Sequence, residues 1–347
     1  MKVWWTDSII PASSRSTAVL KQFRLLAVLS ILGSAFVAAG PASAKPGGNG
    51  AGKHDEIVAY WTPEHVSRAR PREVSPDGRP DTVLPLKPGG TGKPGGSSSV
   101  AGASWNGGGL IKATAGKVLF TMAGVDYVCS ATVVQDARPG ESLAVTAGHC
   151  VFDQTDGWAT NWMFMPDFDA APSAYNGTSF NCAILPYGCW TATALVTSSG
   201  WSQGDFNEDY GFAVIGTAGH ATTLEATVGA QAISFTGARP TTVYAFGYPQ
   251  ASPYNGTDLV YCSGPTVADS WGGSTDSGLN CNMTGGSSGG GWFSPFDAAS
   301  GSGTLVSVNS FRYLRGSATK YMFGPLFDAA TLSTYTAAQS AVTNTVL

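Results

Sequence analysis

The chain has 347 residues, of which 43% are hydrophobic and only 12% are charged, and 45 of them are glycine. A disordered chain would carry more charge and fewer aromatic residues, so this composition indicates a globular protein rich in β-structure. Residues 1–100 hold 12 Lys and Arg against 7 Asp and Glu, whereas residues 101–347 hold 7 against 16. Because phosphate binding needs clustered Lys and Arg, the acidic main part argues against a nucleic-acid partner.

The first 44 residues have the layout of a secretory signal peptide. Basic residues from Lys2 to Arg24 precede the apolar run 25–39, and the small residues Ala42-Ser43-Ala44 follow it. A membrane anchor is the alternative, but about 15 apolar residues fall short of the ~20 that a bilayer requires. We therefore expect a cleaved signal peptide over residues 1–44 and a secreted, extracellular protein without a stable membrane anchor.

Residues 45–100 form a leader rich in Gly, Pro and Ser, which buries too little apolar surface to offset chain entropy and should be mostly mobile. One apolar island, 57–61, precedes Thr62 and Pro63, which suit the start of a short helix. The basic leader should be attracted to the acidic main domain. We expect a prosegment, removed by a cut between Gly89 and Gly109, where small residues are accessible. A spacer with no inhibitory role is the alternative.

From Gly116 onward, short runs rich in Val, Thr, Tyr and Phe alternate with Gly, Asn and Asp clusters. This spacing predicts an all-β body of antiparallel strands, a sandwich or a barrel. The predicted strands are Val118–Met122, Tyr127–Val134, Leu143–Thr146, Thr191–Thr197, Phe212–Ile215, Thr242–Phe246 and Leu305–Val308. Residues 329–342 lack Gly and Pro and predict a C-terminal helix with Leu332, Tyr335 and Ala338 on one face.

Six cysteines in an exported chain suggest three disulfides. Fifteen pairings are possible, and we predict the sequential one, 129–150, 182–189 and 262–281. A structural zinc site is the alternative, but the chain has no Cys-x-x-Cys pair and its main domain has only two histidines. The cysteines concerned are Cys129, Cys150, Cys182, Cys189, Cys262 and Cys281.

Two segments carry the residue types of nucleophilic catalysis. In 146–150, an apolar strand leads into small residues and then His149, and a disulfide at Cys150 would fix this base in place. In 285–291, glycines surround Ser287 and Ser288, as a backbone needs when two amides must meet a developing oxyanion. The non-catalytic alternatives are a buried structural histidine for 146–150 and a flexible Gly/Ser linker for 285–291.

These segments resemble the chymotrypsin-like serine proteases. The matching motifs are Thr-Ala-Gly-His-Cys at 146–150, an Asp before an apolar strand at 209–215, and Gly-x-Ser-Gly-Gly at 286–290. The run 281–290 is also similar to the active-site signature of secreted bacterial glutamyl endopeptidases (V8-like), as are Gly-Tyr-Pro at 247–249 and Phe-Gly-Pro at 323–325. The resemblance implies two six-stranded antiparallel β-barrels, about 110–225 and 226–347, within a protease domain of residues 101–347.

The resemblance also implies a catalytic triad of His149, Asp209 and Ser288. Asp209 is favoured over Asp205, Asp153 and Asp156 because it opens an apolar strand that would bury it against the imidazole. Ser288 is favoured over Ser287 because two glycines follow it directly. The oxyanion hole is expected at the amides of Gly286 and Ser288, and the substrate-binding positions implied are Asn282, Ser307, Val308 and Asn309.

This chain departs from the family at three positions. Ser287 stands where trypsin carries the Asp that pairs with a freed N-terminal amine, and no Ile-Val-Gly-Gly start is visible. Asn282 replaces the pocket Asp of trypsin, and Val306 stands where glutamate-selective relatives place a histidine. These positions therefore predict neither basic nor acidic selectivity.

We conclude from the sequence that the chain is a secreted serine endopeptidase acting through an acyl-enzyme. An esterase with the same triad and an inactive binding module are the alternatives. We expect no cofactor and no metal. The expected partners are protein or peptide substrates and the chain's own prosegment, and we expect a monomer.

Overall fold

The computed structural model of the chain describes residues 48–76, 99–176 and 178–347. The predicted signal peptide lies outside the described residues. Within them, no helix combines the length and the apolar character needed to cross a membrane.

Strands dominate the described residues. They are β1 (Arg70–Pro71), β2 (Val100–Ser104), β3 (Ala115–Met122), β4 (Val125–Val134), β5 (Ser142–Thr146), β6 (Phe152–Asp153), β7 (Gly157–Trp158), β8 (Thr160–Pro166), β9 (Trp190–Thr197), β10 (Gly211–Ile215), β11 (Ala232–Ile233), β12 (Thr242–Gly247), β13 (Val260–Ala268), β14 (Ser277–Asn280), β15 (Gly291–Asp297), β16 (Ser302–Val308), β17 (Tyr321–Gly324) and β18 (Thr345–Val346).

The helices are short. The α-helices are α1 (Gly48–Tyr60), α2 (Pro63–Arg68), α3 (Leu110–Thr114), α4 (Ser199–Ser202), α5 (Leu224–Val228) and α6 (Ala329–Ala338). One-turn 3₁₀-helices span Gly148–Cys150, Phe168–Ala170, Pro172–Ala174, Cys182–Ile184, Phe206–Glu208 and Gly316–Lys320.

The first barrel closes on itself. Strands β4, β3, β8, β9, β10 and β5 are hydrogen-bonded in that order, and β5 pairs with β4 to complete the ring. Successive side chains of a strand point to opposite faces, and β3 buries both. Val118 and Phe120 lie in one apolar cluster, whereas Leu119 between them lies in another. The predicted six-stranded antiparallel barrel is confirmed here.

The second half of the chain forms a second antiparallel sheet of six strands. Its order is β16, β15, β12, β13, β14 and β17, and the short strands β11 and β2 are added by pairing with β16 and β13. Val243, Ala245 and Trp292 are buried in its own apolar cluster. The all-β, two-barrel fold class predicted from the sequence is confirmed.

The C-terminal helix is present, and the face that carries Leu332, Tyr335 and Ala338 is only partly buried. Asp328 caps α6 by accepting from the amides of Ala330 and Thr331, and Ala338 is buried. Leu332, however, is 44% exposed, whereas Thr331 and Thr334 are buried. Both threonine hydroxyls have partners, since Thr334 donates to the carbonyl of Ala330 and Thr331 accepts from the amide of Asp328.

The leader is more ordered than its composition predicts. Helices α1 and α2 pack against the first barrel, and Trp61 is only 2% exposed with its Nε1 donating to the carbonyl of Asn161 at 2.8 Å. Thr62 caps α2 with Pro63 in its first turn, as predicted. Strand β2 pairs with β13, and Trp105 is 2% exposed, so residues 100–105 are not the accessible cleavage region expected between Gly89 and Gly109. Residues 89–98 lie outside the described residues.

Candidate active site

His149 stands in a one-turn helix directly after β5. Its side chain is fully buried, and the adjacent Cys150 is joined to Cys129 of β4. A Cβ added to Gly148 would lie 2.6 Å from the Trp201 ring and 3.0 Å from Asp209 Oδ1. The small residue before the histidine is therefore needed because the indole and the carboxylate approach this backbone closely.

Asp209 accepts two hydrogen bonds from His149. Its Oδ2 lies 2.8 Å from His149 Nδ1, and its Oδ1 accepts from the His149 amide at 2.8 Å. The Ser310 hydroxyl also donates to Oδ2. The carboxylate is fully buried, and these donors offset the cost of removing it from water. Asp209 ends a one-turn helix two residues before β10 rather than lying within that strand.

The two adjacent serines differ in their hydrogen bonds. Ser287 Oγ donates to the carbonyl of Thr284 at 2.8 Å, so its hydroxyl is engaged within its own loop. Ser288 Oγ instead donates to the carbonyl of Arg72, at 3.3 Å. A Cβ on Gly289 would lie 2.1 Å from Thr146 Oγ1 and 2.4 Å from the carbonyl oxygen of Ser130. The glycine after Ser288 is therefore required by close backbone approach as well as by its φ of 81°.

The peptide groups around Ser288 are oriented by bonds to their carbonyls. The carbonyl of Gly285 accepts from the amides of Gln250 and Ala251, and that of Ser287 accepts from Asn309 Nδ2 at 2.9 Å. In a trans peptide the C=O and the next N–H point in opposite directions. The amides of Gly286 and Ser288 thus both face away from these braces, and neither donates to another group of the described residues. Two such amides can hold an oxyanion.

Asn309 and Val308, two predicted substrate-binding residues, are buried in the structure. Asn309 Nδ2 donates to the carbonyls of Phe246 and Ser287, and its Oδ1 accepts from Trp292 Nε1 at 2.7 Å. The Asn309 side chain thus braces the Ser288 loop. Its predicted contact with substrate stays a prediction, as does that of Val308.

Ser307 and Asn282, the other two predicted substrate-binding residues, both have protein partners. Ser307 Oγ donates to the carbonyl of Pro325 at 2.7 Å. Asn282 Oδ1 accepts from Tyr254 Oη at 2.6 Å. Their roles toward substrate also remain predictions.

Two residues escaped the sequence reasoning. Ser310, three positions after Ser307, is the serine that contacts Asp209. Arg312 places its guanidinium against the carbonyls of Cys281 and Thr319, and its enclosed Nε has no partner among the described residues. Desolvation lowers the pKa of Arg312 to about 10, although the charge of Glu73 favours its protonated form. No local motif marks either residue, because each contacts a segment that lies apart from it in sequence.

The three disulfides have the predicted sequential pairing, 129–150, 182–189 and 262–281. Cys129, Cys150 and His149 have possible metal-binding atoms within 4.8 Å of one another. The two sulfurs are bonded to each other, so they cannot act as thiolate ligands. His220, predicted in a surface turn, stacks on the Trp190 ring at 3.4 Å between centroids, and burial lowers its pKa.

Comparison with solved structures identifies close relatives of this fold. The protease Anisep of Arthrobacter nicotinovorans is 38% identical, with a TM-score of 0.57 over 66% of this chain and 96% of that one. The thermostable serine protease AL20 of an extremophilic microorganism is 37% identical, with a TM-score of 0.57 over 67% of this chain and 99% of that one. A Glu endopeptidase shares the fold at 18% identity, with a TM-score of 0.50 over 70% and 97% of the two chains.

Sequence comparison adds less. No family model matches the chain. An extracellular metalloprotease of Bacillus subtilis is 39% identical over 71 residues, and these span 20% of this chain and only 19% of that protein. So short a match does not transfer that protein's activity. The two solved proteases at 38% and 37% identity align with this chain over 96% and 99% of their own lengths. This chain therefore belongs to the bacterial chymotrypsin-like serine proteases and is a serine-type endopeptidase.

Proposed function

We propose that the protein is an exported endopeptidase that cleaves peptide bonds through an acyl-enzyme on Ser288. The observation that carries this proposal is the His149–Asp209 pair. The carboxylate accepts from Nδ1, while Nε2 is buried without a hydrogen-bond partner among the described residues. An imidazole fixed in this tautomer offers Nε2 as the base for a serine hydroxyl.

In the proposed reaction, His149 Nε2 takes the proton of Ser288 Oγ as the oxygen attacks the peptide carbonyl. The amides of Gly286 and Ser288 donate to the oxyanion of the tetrahedral intermediate. The imidazolium then gives its proton to the leaving amine, and Asp209 stabilises the charge on the ring. Water attacks the acyl-enzyme by the same route and releases the second product.

Export is the second part of the proposal. Three disulfides join all six cysteines of the chain, and disulfides persist in oxidising compartments outside the cytosol. We also propose that residues 45–100 are a prosegment, removed after export. The docking of Trp61 and Arg68 on the first barrel supports this role, since a plain spacer needs no such contacts.

The test compares two neighbouring serines. Ser288→Ala should abolish labelling by a serine-directed fluorophosphonate and reduce peptide hydrolysis by several orders of magnitude. Ser287→Ala is the matched control, and it should keep both activities because its hydroxyl serves the Thr284 carbonyl. Digestion of a peptide library, alongside simple esters, measures the bond that is cleaved. Loss of activity in Ser287→Ala alone would show that the nucleophile is misassigned.

A further inference from the structure

The leader is anchored on strand β4 of the first barrel by contacts to one buried carboxylate. Tyr60 Oη donates to Asp126 Oδ1 at 2.8 Å, and Arg68 Nε donates to Oδ2 at 2.7 Å. Burial would raise the pKa of Asp126, but these hydrogen bonds and that of Thr121 hold it below its ordinary value. With Trp61 buried nearby, the chain leaves α2 at a fixed point on the first barrel.

The next residues run along the strand that holds Cys129. Strand β1 pairs in parallel with β4, with Arg70 opposite Tyr127 and Pro71 opposite Val128. Val128 precedes Cys129, whose disulfide partner Cys150 adjoins His149. The leader therefore arrives at the candidate triad from the β4 side.

Arg72 lies directly over the triad. Its Nε donates to the carbonyl of His149 at 2.8 Å, its Nη2 pairs with Asp153, and its own carbonyl accepts from Ser288 Oγ. The residue is 9% exposed. Burial would raise the pKa of Asp153, but amide donors and the charge of Arg72 hold it below its ordinary value. These contacts leave the Ser288 hydroxyl bonded to the leader rather than to a base.

Glu73 continues toward the pocket beside Ser288. Its Oε1 accepts from the amide of Gly285 at 2.6 Å, and a Cβ on Gly285 would come within 2.3 Å of that oxygen. The positive charge of Arg312 acts on the same carboxylate. A glycine and a cation thus accommodate the acidic side chain of the leader.

The last described leader residues pack on the second barrel. Val74 lies against the apolar cluster of Phe311, Tyr313 and Phe323, and Pro76 lies close to Gly273. Residues 70–76 therefore cross the whole cleft, from β4 through Ser288 to the 311–323 cluster.

The chain direction of residues 70–76 in the cleft determines whether the enzyme can cleave them as it cleaves a substrate. In a productive complex the leaving amine must receive its proton from His149, so the residues that follow the scissile bond must extend toward the Cys129–Cys150 side. The residues that precede the bond must then lie toward Arg312 and Phe311. The leader runs the other way, because residues 70–71 lie on β4 and Val74 lies by Phe311.

We propose that residues 70–76 are an inhibitory segment that fills the active-site cleft in the direction opposite to a substrate, with Glu73 in the pocket beside Arg312. The proposal rests on the proposed function, since it assumes that Ser288 is the nucleophile. Reversed peptide bonds place the departing amine away from His149. The segment therefore blocks the cleft without being cut at Arg72 or Glu73, and removal of the leader must depend on a cut elsewhere.

The test uses the chain from Lys45 to Leu347 with its leader intact. The rate of fluorophosphonate labelling of Ser288 is measured in the unaltered chain, in Glu73→Gln and in Val74→Asp, and intact mass is followed in parallel. Glu73→Gln keeps an acceptor for the Gly285 amide but removes the charge that faces Arg312, and this loss should speed labelling about 10- to 100-fold. Val74→Asp should act in the same direction by placing a charge on the apolar cluster. Glu64→Gln, at an exposed position of α2, is the control and should leave the rate unchanged.

Three outcomes separate the possibilities. Equal labelling rates in the unaltered chain and in both cleft variants would overturn the inhibitory segment while leaving the protease function intact. Absence of labelling in every form, including chain from which the leader has been removed, would overturn the proposed nucleophile. Cleavage between residues 72 and 74, at the rate at which the leader is removed, would show that the segment binds in the same direction as a substrate. That result would overturn the proposed reversed direction.

Discussion

The contact between Ser310 and Asp209 makes a sharp prediction about catalysis. The Ser310 hydroxyl is buried and donates to Asp209 Oδ2, the oxygen that also accepts from His149 Nδ1. Ser310→Ala removes one of the three donors to a fully buried carboxylate. A hydrogen bond to a charged group contributes about 1.5–3 kcal/mol. Since each 1.36 kcal/mol of barrier is a factor of ten, the rate constant kcat should fall about 10- to 100-fold.

The effect should appear in kcat rather than in KM, because the hydroxyl orients Asp209 and His149 and does not touch the substrate. Steady-state hydrolysis of a fluorogenic peptide by the matured enzyme measures both constants. Ser142→Ala is the control, since this buried hydroxyl lies at the end of β5 away from His149 and accepts from the Glu225 amide. That variant should lose about 1 kcal/mol of stability and keep its kcat.

Two results would refute this reasoning. If Ser310→Ala retains kcat within twofold and keeps its melting temperature, the hydroxyl does not hold the carboxylate during the reaction. If Ser142→Ala loses as much kcat as Ser310→Ala, the loss in Ser310→Ala does not come from its contact with Asp209.

Two further predictions follow from charged groups. The guanidinium of Arg312, whose enclosed Nε has no partner among the described residues, should favour substrates with Glu or Asp before the cut. In a peptide-library digest, Arg312→Ala should lose roughly 10- to 100-fold of that preference, whereas Arg315→Ala, at an exposed position, should keep it. An unaltered enzyme without acidic preference would contradict this prediction. Both carboxylate oxygens of Asp276 are buried without a partner among the described residues, and burial together with the charges of Asp209, Asp269 and Asp205 raises its pKa well above the ordinary value. The folded state therefore holds a proton that the unfolded state has lost, and the free energy of unfolding falls as pH rises from about 4 to the raised pKa. Asp276→Asn should remove this decline. In urea titrations the variant should therefore have a higher free energy of unfolding than the unaltered chain at neutral pH, and an equal one near pH 3. A difference that does not change with pH would contradict the raised pKa of Asp276.

The sequence determined the parts of this protein that depend on local chain geometry. Gly148, Gly286 and Gly289 lie where other backbone or side-chain atoms approach too closely for a Cβ, so residues 146–150 and 285–291 carry a visible signature. The disulfides could be paired because each joins cysteines close in sequence, 7 to 21 residues apart. Strands such as β3 and β10 were found because their β-branched and aromatic residues stand in short runs between turn residues.

Only the tertiary structure decided the contacts that join distant segments. Ser310 reaches Asp209 across 101 residues, and Arg72 reaches Ser288 across 216, and neither pair leaves a local pattern. The composition of the leader predicted a mobile chain, since its few apolar residues cannot form a core of their own. Instead, Trp61 is buried and Val74 is partly buried against surfaces that the barrels provide. The same reason applies to α6. Which of its residues are buried depends on how the helix packs on the first barrel, and the spacing of its apolar residues did not predict that Leu332 is exposed.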